Sequence, residues 1–135
     1  MTAHNVVVGI LSRKNTAGQT EYLLVKSRAN FGSHTGCWYP PGGHIEPGET
    51  EEQALIREVK EELDLNIKPV LKIVTSPGDI QDQITHWWQC ELLPSGHTEP
   101  VIDTTELAGA DWFTREQLKQ LPLWPATASF FNNYL

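Results

Sequence analysis

The sequence predicts an α/β layered domain around a mixed sheet, and three observations lead there. Apolar, β-branched runs lie on both sides of one amphipathic helical segment, a capping signal opens that segment, and further helical sequence closes the chain. At 135 residues, 39% of them hydrophobic, the chain has the size of a single domain over 1–135, and a chain of this length buries roughly two-thirds of its unfolded surface. No internal period repeats, and no low-complexity linker divides it.

The elements follow in order. Asn5 to Leu11 and Tyr22 to Ser27 read as two strands joined by a turn over Asn15 to Gln19. Ala29 to Gly36 is a loop, Trp38-Tyr39 a short extended piece, and Pro40-Pro41-Gly42-Gly43 a break, with a second break at Pro47-Gly48. Thr50 is placed to N-cap a helix, with Gln53 completing a capping box. Leu55, Ile56, Val59 and Leu63 keep helical spacing and Pro69 bars continuation, which bounds the helix at about Glu51 to Leu63. Val70 to Thr75 reads as a strand, Ser76 to Asp79 as a turn, and Ile84 to Leu92 as a further strand. Residues 93–109 read mostly as loop, Ala110 to Phe113 as a brief strand, Thr114 with Gln117 as the cap of a short helix, and Ala126 to Leu135 as a closing helix.

The net charge of -7 argues against a binder of nucleic-acid polymers or of membrane surfaces, which carry a basic excess. The Val6 to Leu11 run has no basic segment before it and falls far short of the about 20 residues that span a bilayer. The expectation is a soluble, cytoplasmic protein, as a monomer or homodimer. Cys37 and Cys90 lack CxxC spacing and read as reduced, buried thiols.

The charge is concentrated. Residues 46–64 hold eight acids against Arg57 and Lys60, whereas residues 1–45 hold four bases against Glu21 alone. On a helical projection with Glu58 at zero, Glu62 falls at about 40° and Glu61 at about 300°, beside an apolar face formed by Leu55, Val59 and Leu63. Glu61 and Glu62 sit in the last turn, where the helix dipole disfavours anions by a few tenths to about 1 kcal/mol. Their like-charge contacts with Glu58 add roughly 0.2 to 0.5 kcal/mol each. A divalent cation turns that repulsion into coordination, and all-oxygen ligands select Mg²⁺ or Mn²⁺ over zinc or copper. A solvated acidic surface is the alternative reading.

Gly43, five residues, Glu49, seven residues, then Arg57-Glu58-Val59-Lys60-Glu61-Glu62-Leu63-Asp64-Leu65 resembles the Nudix hydrolase signature GX5EX7REUXEEXGU, where U is aliphatic. The departure is Asp64 in place of glycine, at a position where Asp tolerates the left-handed backbone of a helix end. Gly36 to Gly43 also resembles the family's G-x-W-x-x-P-G-G lead-in. The resemblance implies a Nudix α/β/α sandwich with a mixed central sheet, and Mg²⁺-dependent hydrolysis of a nucleoside diphosphate linked to another group. It implies Glu58, Glu61 and Glu62 as metal ligands, with Gly42 and Gly43 leaving room for backbone beside the metal. It also implies an ion pair of Arg57 with Glu49 that orients the helix; the residues alone also allow an exposed i, i+4 pair of Arg57 with Glu61, of small expected worth. Among the carboxylates, Glu61 is the favoured proton acceptor.

Substrate contacts are expected outside that signature. Lys26, Arg28, His44 and His86 are candidate phosphate contacts. Trp87 and Trp88 point to opposite sides of one strand, so only one can line a given pocket, and Trp38 and Trp112 read as packing residues. The tail Trp124-Pro125-Ala126-Thr127 is similar to that of small MutT-like nucleoside triphosphate pyrophosphohydrolases, which implies Trp124 and Thr127 as base contacts. The substrate implied is a small nucleotide, foremost a nucleoside triphosphate, with nucleotide sugars or non-nucleotide diphosphates as the alternative. A silent nucleotide-binding module is the remaining one.

Overall fold

The computed structural model describes residues 4–135. The elements run β1 (His4–Lys14), β2 (Thr20–Ser27), a 3-10 turn (Gly32–His34), β3 (Trp38–Tyr39), β4 (Gly42–His44), α1 (Glu51–Leu63), β5 (Ile67–Pro77), β6 (Gln83–Leu92), β7 (Leu107–Thr114), α2 (Arg115–Leu118) and α3 (Pro125–Tyr134). The seven strands form one sheet in the order β3-β2-β1-β6-β5, with β4 on β1 and β7 on β2. It is mixed, because β1 runs parallel to β6 while its pairings with β2 and β4 are antiparallel.

Strand alternation decides the layers. On β1, Val7 and Leu11 face α1 and pack with Leu55, Val59, Leu63 and Cys90. Ile10 points the other way, into a second cluster with Leu24, Trp87, Phe130 and Phe131. Helix α1 thus covers one face and α3 the other, the three-layer sandwich expected. Helix α1 comes unusually near the sheet at Gly9, where an added Cβ would lie 3.2 Å from Cys90 Sγ and 3.4 Å from Leu55. Trp38 and Trp112 are packing residues: Trp38 meets Phe113 edge-on with ring centroids 4.9 Å apart, and Trp112 is buried. Among the described residues no helix is long and apolar enough to cross a membrane, and Cys37 and Cys90 are free, buried thiols.

Four expectations need correction. The break at 40–43 ends early, because Gly42 and Gly43 pair with Val8 and Val7 and so begin β4. Only glycine permits this: a Cβ on Gly42 would fall 1.9 Å from the Val7 carbonyl oxygen. Strand β5 begins at Ile67 and contains Pro69, which the sheet tolerates because β5 is an edge strand whose register slips just after that proline. Pro77 still belongs to β5, so the turn follows it, closed by the Gly78 N–H donating to the Gln83 carbonyl at 2.8 Å. Strand β7 starts at Leu107, not Ala110, since its whole length pairs with β2.

The two kinds of glycine constraint separate experimentally. Gly42→Ala is expected to lose about 3 kcal/mol or more through the backbone clash. Gly18→Ala, with φ of 80° but nothing within 4 Å of its Cβ, loses only about 1 kcal/mol. Urea unfolding of the two variants checks the order.

Candidate active site

Helix α1 is fixed at both ends by its own sequence. Thr50 accepts from the Gln53 N–H while the Gln53 side chain accepts from the Thr50 N–H, and Glu51 and Glu52 fill the first turn. At the other end Asp64 takes the left-handed conformation (φ 54°, ψ 38°), where glycine would carry no strain. Its carboxylate accepts from Lys60 Nζ at 2.8 Å and lies 3.0 Å from His97 Nε2, which pull it below the ordinary carboxylate range. Two last-turn carbonyls are closed from outside, Leu63 by the Val101 N–H and Glu62 by the Asp103 N–H, each at 2.8 Å.

Arg57 joins that helix to the loop before it. Its Nε donates to Glu49 Oε2 at 2.7 Å and its Nη2 to Glu49 Oε1 at 2.9 Å, a two-pronged pair, while Nη2 also donates to the His44 carbonyl at 3.1 Å. Nη1 holds Glu58 at 2.8 Å and reaches Glu61 at 3.3 Å. Both pairings open to Arg57 from the sequence therefore coexist, and the one with Glu49 is tighter. Glu49 Oε1 also accepts from the Glu46 N–H at 2.9 Å, and these donors, Arg57 foremost, lower the Glu49 carboxyl to about 2.

Three carboxylates of the last turns meet different surroundings. Glu58 is mostly buried and lies against Gly43, where a Cβ would come 2.5 Å from its carboxyl carbon, so any side chain at 43 would have to push the Glu58 carboxylate aside. Glu61 is exposed. Burial first, then the charge of Glu58 and a hydrogen bond with it, raise the Glu62 carboxyl well above the ordinary range, and Glu106 and Glu61 add to this. Glu106 has no sequence pattern to announce it. The loop that closes the α1 carbonyls brings it here, and with Glu62 and burial it helps push the Tyr39 hydroxyl up to about 12.

Among the described residues no group of three His, Cys, Asp or Glu side chains is already gathered as a cage for a metal ion. The donors nevertheless fit a hard divalent cation: they are oxygens only, they repel one another, and Gly43 leaves the backbone open beside Glu58.

A cavity of about 240 Å³ opens on the opposite, α3 side of the sheet, and Gly42, Gly43 and His44 form part of its wall. Trp124 and Thr127 line it, as does Trp87, whereas Trp88 faces α1 and donates to Glu51 at 2.9 Å. Lys26 and Arg28 do not line it. Lys26 Nζ lies 5.1 Å from the Trp38 ring centre, and Arg28 is exposed. His86 also lies elsewhere, its Nε2 2.9 Å from Asn5 Oδ1 and its Nδ1 3.0 Å from Lys72 Nζ. Asp79 and Phe31 do line the cavity. Asp79 sits in a turn whose residues signal only a turn, so nothing in the sequence announces its place in the cavity wall.

Two measurements check these electrostatics. Glu49 is held below its unfolded value near 4.5, so its contribution to stability is present above about pH 4.5 and lost as the pH falls toward about 2. Glu49→Gln is therefore expected to flatten the acid limb of a Tm–pH profile. Glu62 has the opposite sign: its raised carboxyl favours folding at low pH, and that contribution is lost as the pH rises. Glu62→Gln should thus raise the Tm measured in EDTA at pH 8 and diminish the further rise on adding Mg²⁺.

The NUDIX domain family matches residues 3–134. The chain is 40% identical over 116 residues to an ADP-ribose pyrophosphatase of Methanocaldococcus jannaschii, covering 84% of this chain and 57% of that protein. It is 32% identical over 126 residues to the nucleoside triphosphatase NudI of Enterobacter sp. (strain 638), covering 82% and 84%. The solution structure of the E. coli ORF135 protein superposes with a TM-score of 0.74 at 26% identity, covering 99% of this chain and 89% of the other. Across curated relatives the chain spans from 18% to 84% of their length. With the family matched along nearly all of its residues, this chain belongs to the Nudix hydrolases.

Proposed function

We propose that the chain hydrolyses a diphosphate linkage in a small nucleotide with Mg²⁺, or Mn²⁺ in its place, foremost a nucleoside triphosphate cleaved to the monophosphate and pyrophosphate. The observation that carries this reading is the position of Gly43, which walls the α3-side cavity and also lies against Glu58. A ring seated in the cavity therefore puts its phosphates toward the carboxylate end of α1.

Glu58, Glu61 and Glu62 would hold the divalent cation, beside the Gly43 backbone. What such a cation supplies there is neutralisation of the phosphate oxygens and acidification of water. The protein's own parts are then distinct. Arg57 and Glu49 fix the helix against the loop, so the carboxylates keep their relative positions. Glu61, the most exposed of the three, accepts the proton of the attacking water, and Glu106 is a carboxylate outside the helix whose charge is felt at Glu62. His44, exposed at the cavity wall, is placed to donate to a phosphate. The two reduced thiols fit work in the cytoplasm, where free nucleotides are found.

A second reading has its own support. The relative with 40% identity is named an ADP-ribose pyrophosphatase, and ADP-ribose carries the same linkage between a nucleotide and another group.

Assays with Mg²⁺ on nucleoside triphosphates, oxidised triphosphates, ADP-ribose, nucleotide sugars and dinucleoside polyphosphates test the proposal. Release of pyrophosphate from a triphosphate is expected, and Glu61→Gln and Glu62→Gln should each lower turnover at least a hundredfold while remaining folded. Near-normal turnover in both variants would remove the carboxylate assignment, and ADP-ribose turnover far above that of every triphosphate would favour the second reading.

A further inference from the structure

The cavity contains one side chain that, when ionised, only accepts hydrogen bonds. Its walls are largely apolar, from Val8, Trp87 and Trp124; the Trp87 indole N–H is already given to Ser76 Oγ at 2.8 Å, the Trp124 indole only donates, and the other polar side chains are hydroxyls, an amide and an imidazole, able to donate or accept. Asp79 is the only carboxylate among the described residues that line it. When ionised, it can only accept.

The fold holds this carboxylate in place. Helix α3 begins after Trp124, whose side chain makes no capping hydrogen bond. The cap comes instead from the β5–β6 turn: the Ala126 N–H donates to Asp79 Oδ1 at 2.9 Å and to Oδ2 at 3.2 Å. One N–H shared between two oxygens leaves most of the carboxylate's lone pairs free; burial pushes the Asp79 carboxyl up from its ordinary value, while the Ala126 N–H and the nearby His34 favour the charged form. The neighbouring aromatic wall is also braced, because the His34 ring stacks on Trp124 at 4.7 Å and Phe31 meets it edge-on at 5.2 Å. At about 240 Å³ the space is below the usual range for whole ligands, roughly 300 to 1,000 Å³, and suits a ring system.

We infer that Asp79 is a specificity-determining residue that selects nucleobases bearing an exocyclic amine. The inference rests on the proposal that the cavity seats the base of a nucleotide substrate. Deamination of cytosine to uracil, or of adenine to hypoxanthine, replaces an N–H₂ donor by a C=O acceptor. Against Asp79 two acceptors would then face each other with no proton between them, and a site built to receive a hydrogen bond rejects such a partner strongly.

The test uses the whole chain and nucleoside monophosphates, so that binding is read without turnover. Quenching of tryptophan fluorescence gives the affinities of CMP against UMP and of AMP against IMP. The wild type is expected to bind the amine-bearing member of at least one pair tenfold or more tightly. Asp79→Asn keeps an oxygen for the Ala126 N–H but adds an amide donor; it should reduce that preference below threefold, with the deaminated partner bound as well as before or better, and with an unchanged Tm. Equal affinities within both pairs, no binding of any of the four, or a preference that survives in Asp79→Asn would overturn the inference. Turnover of the matching triphosphates with Mg²⁺ separates it from the reading beneath it. Turnover without base preference sinks the role of Asp79 alone, whereas base preference in binding without any turnover sinks the hydrolase proposal and leaves Asp79 standing.

Discussion

The two-pronged pair between Arg57 and Glu49 is the contact on which the remainder of the site depends. Without it, α1 would carry a row of acids with only Lys60 in its last turn as local relief. Arg57 also reaches the His44 carbonyl, so one guanidinium fixes the end of β4, the loop that follows and the middle of α1. Geometry gives this pair its value. A single-pronged surface pair contributes about 0 to 1 kcal/mol and would not restrain a helix, whereas two parallel N–H···O bonds set both distance and rotation. A lysine at position 57 would keep the charge and lose the orientation.

Much of this was legible beforehand, for physical reasons that differ by element. Helix α1 was bounded correctly because its signals are local: a hydroxyl cap, an amide three residues on, and a residue able to take positive φ at the end. The spacing of Gly43, Glu49, Arg57 and Glu58 was legible for the same reason. What escaped were properties that depend on non-local partners. Gly42 reads as a breaker until Val7 is found beside it, and Pro69 reads as a stop to the helix lying before the next strand until β5 proves to be an edge that contains it. Glu106 and Asp79 reach the site on connecting segments, whose sequence carries no period. Lys26 and Arg28 are candidates from charge alone, and charge does not say which way a side chain on a strand or just past its end faces.

The sheet divides the chemistry into two compartments. The α1 side concentrates negative charge at the cost of self-repulsion, seen in the raised Glu62 carboxyl. The α3 side offers an apolar cavity with one carboxylate at a helix start. The three-residue strand β4 meets the cavity and the Glu58 carboxylate at one residue, Gly43. Its first two residues are glycines, which lets the two compartments meet across bare backbone.

The parallel pairing of β1 with β6 carries a kinetic consequence. Val6 lies opposite Thr85 and Val8 opposite Trp87, so the cavity wall is made from segments at opposite ends of the first two-thirds of the chain. Closing so long a loop is paid in entropy before any contact is made, which places this pairing late in folding. Helix α1 and the β1–β2 hairpin can form earlier from neighbouring residues. A chain still emerging during synthesis would therefore carry its acidic helix before the cavity on the other face exists, and the cavity wall would be completed only after β6 has been made.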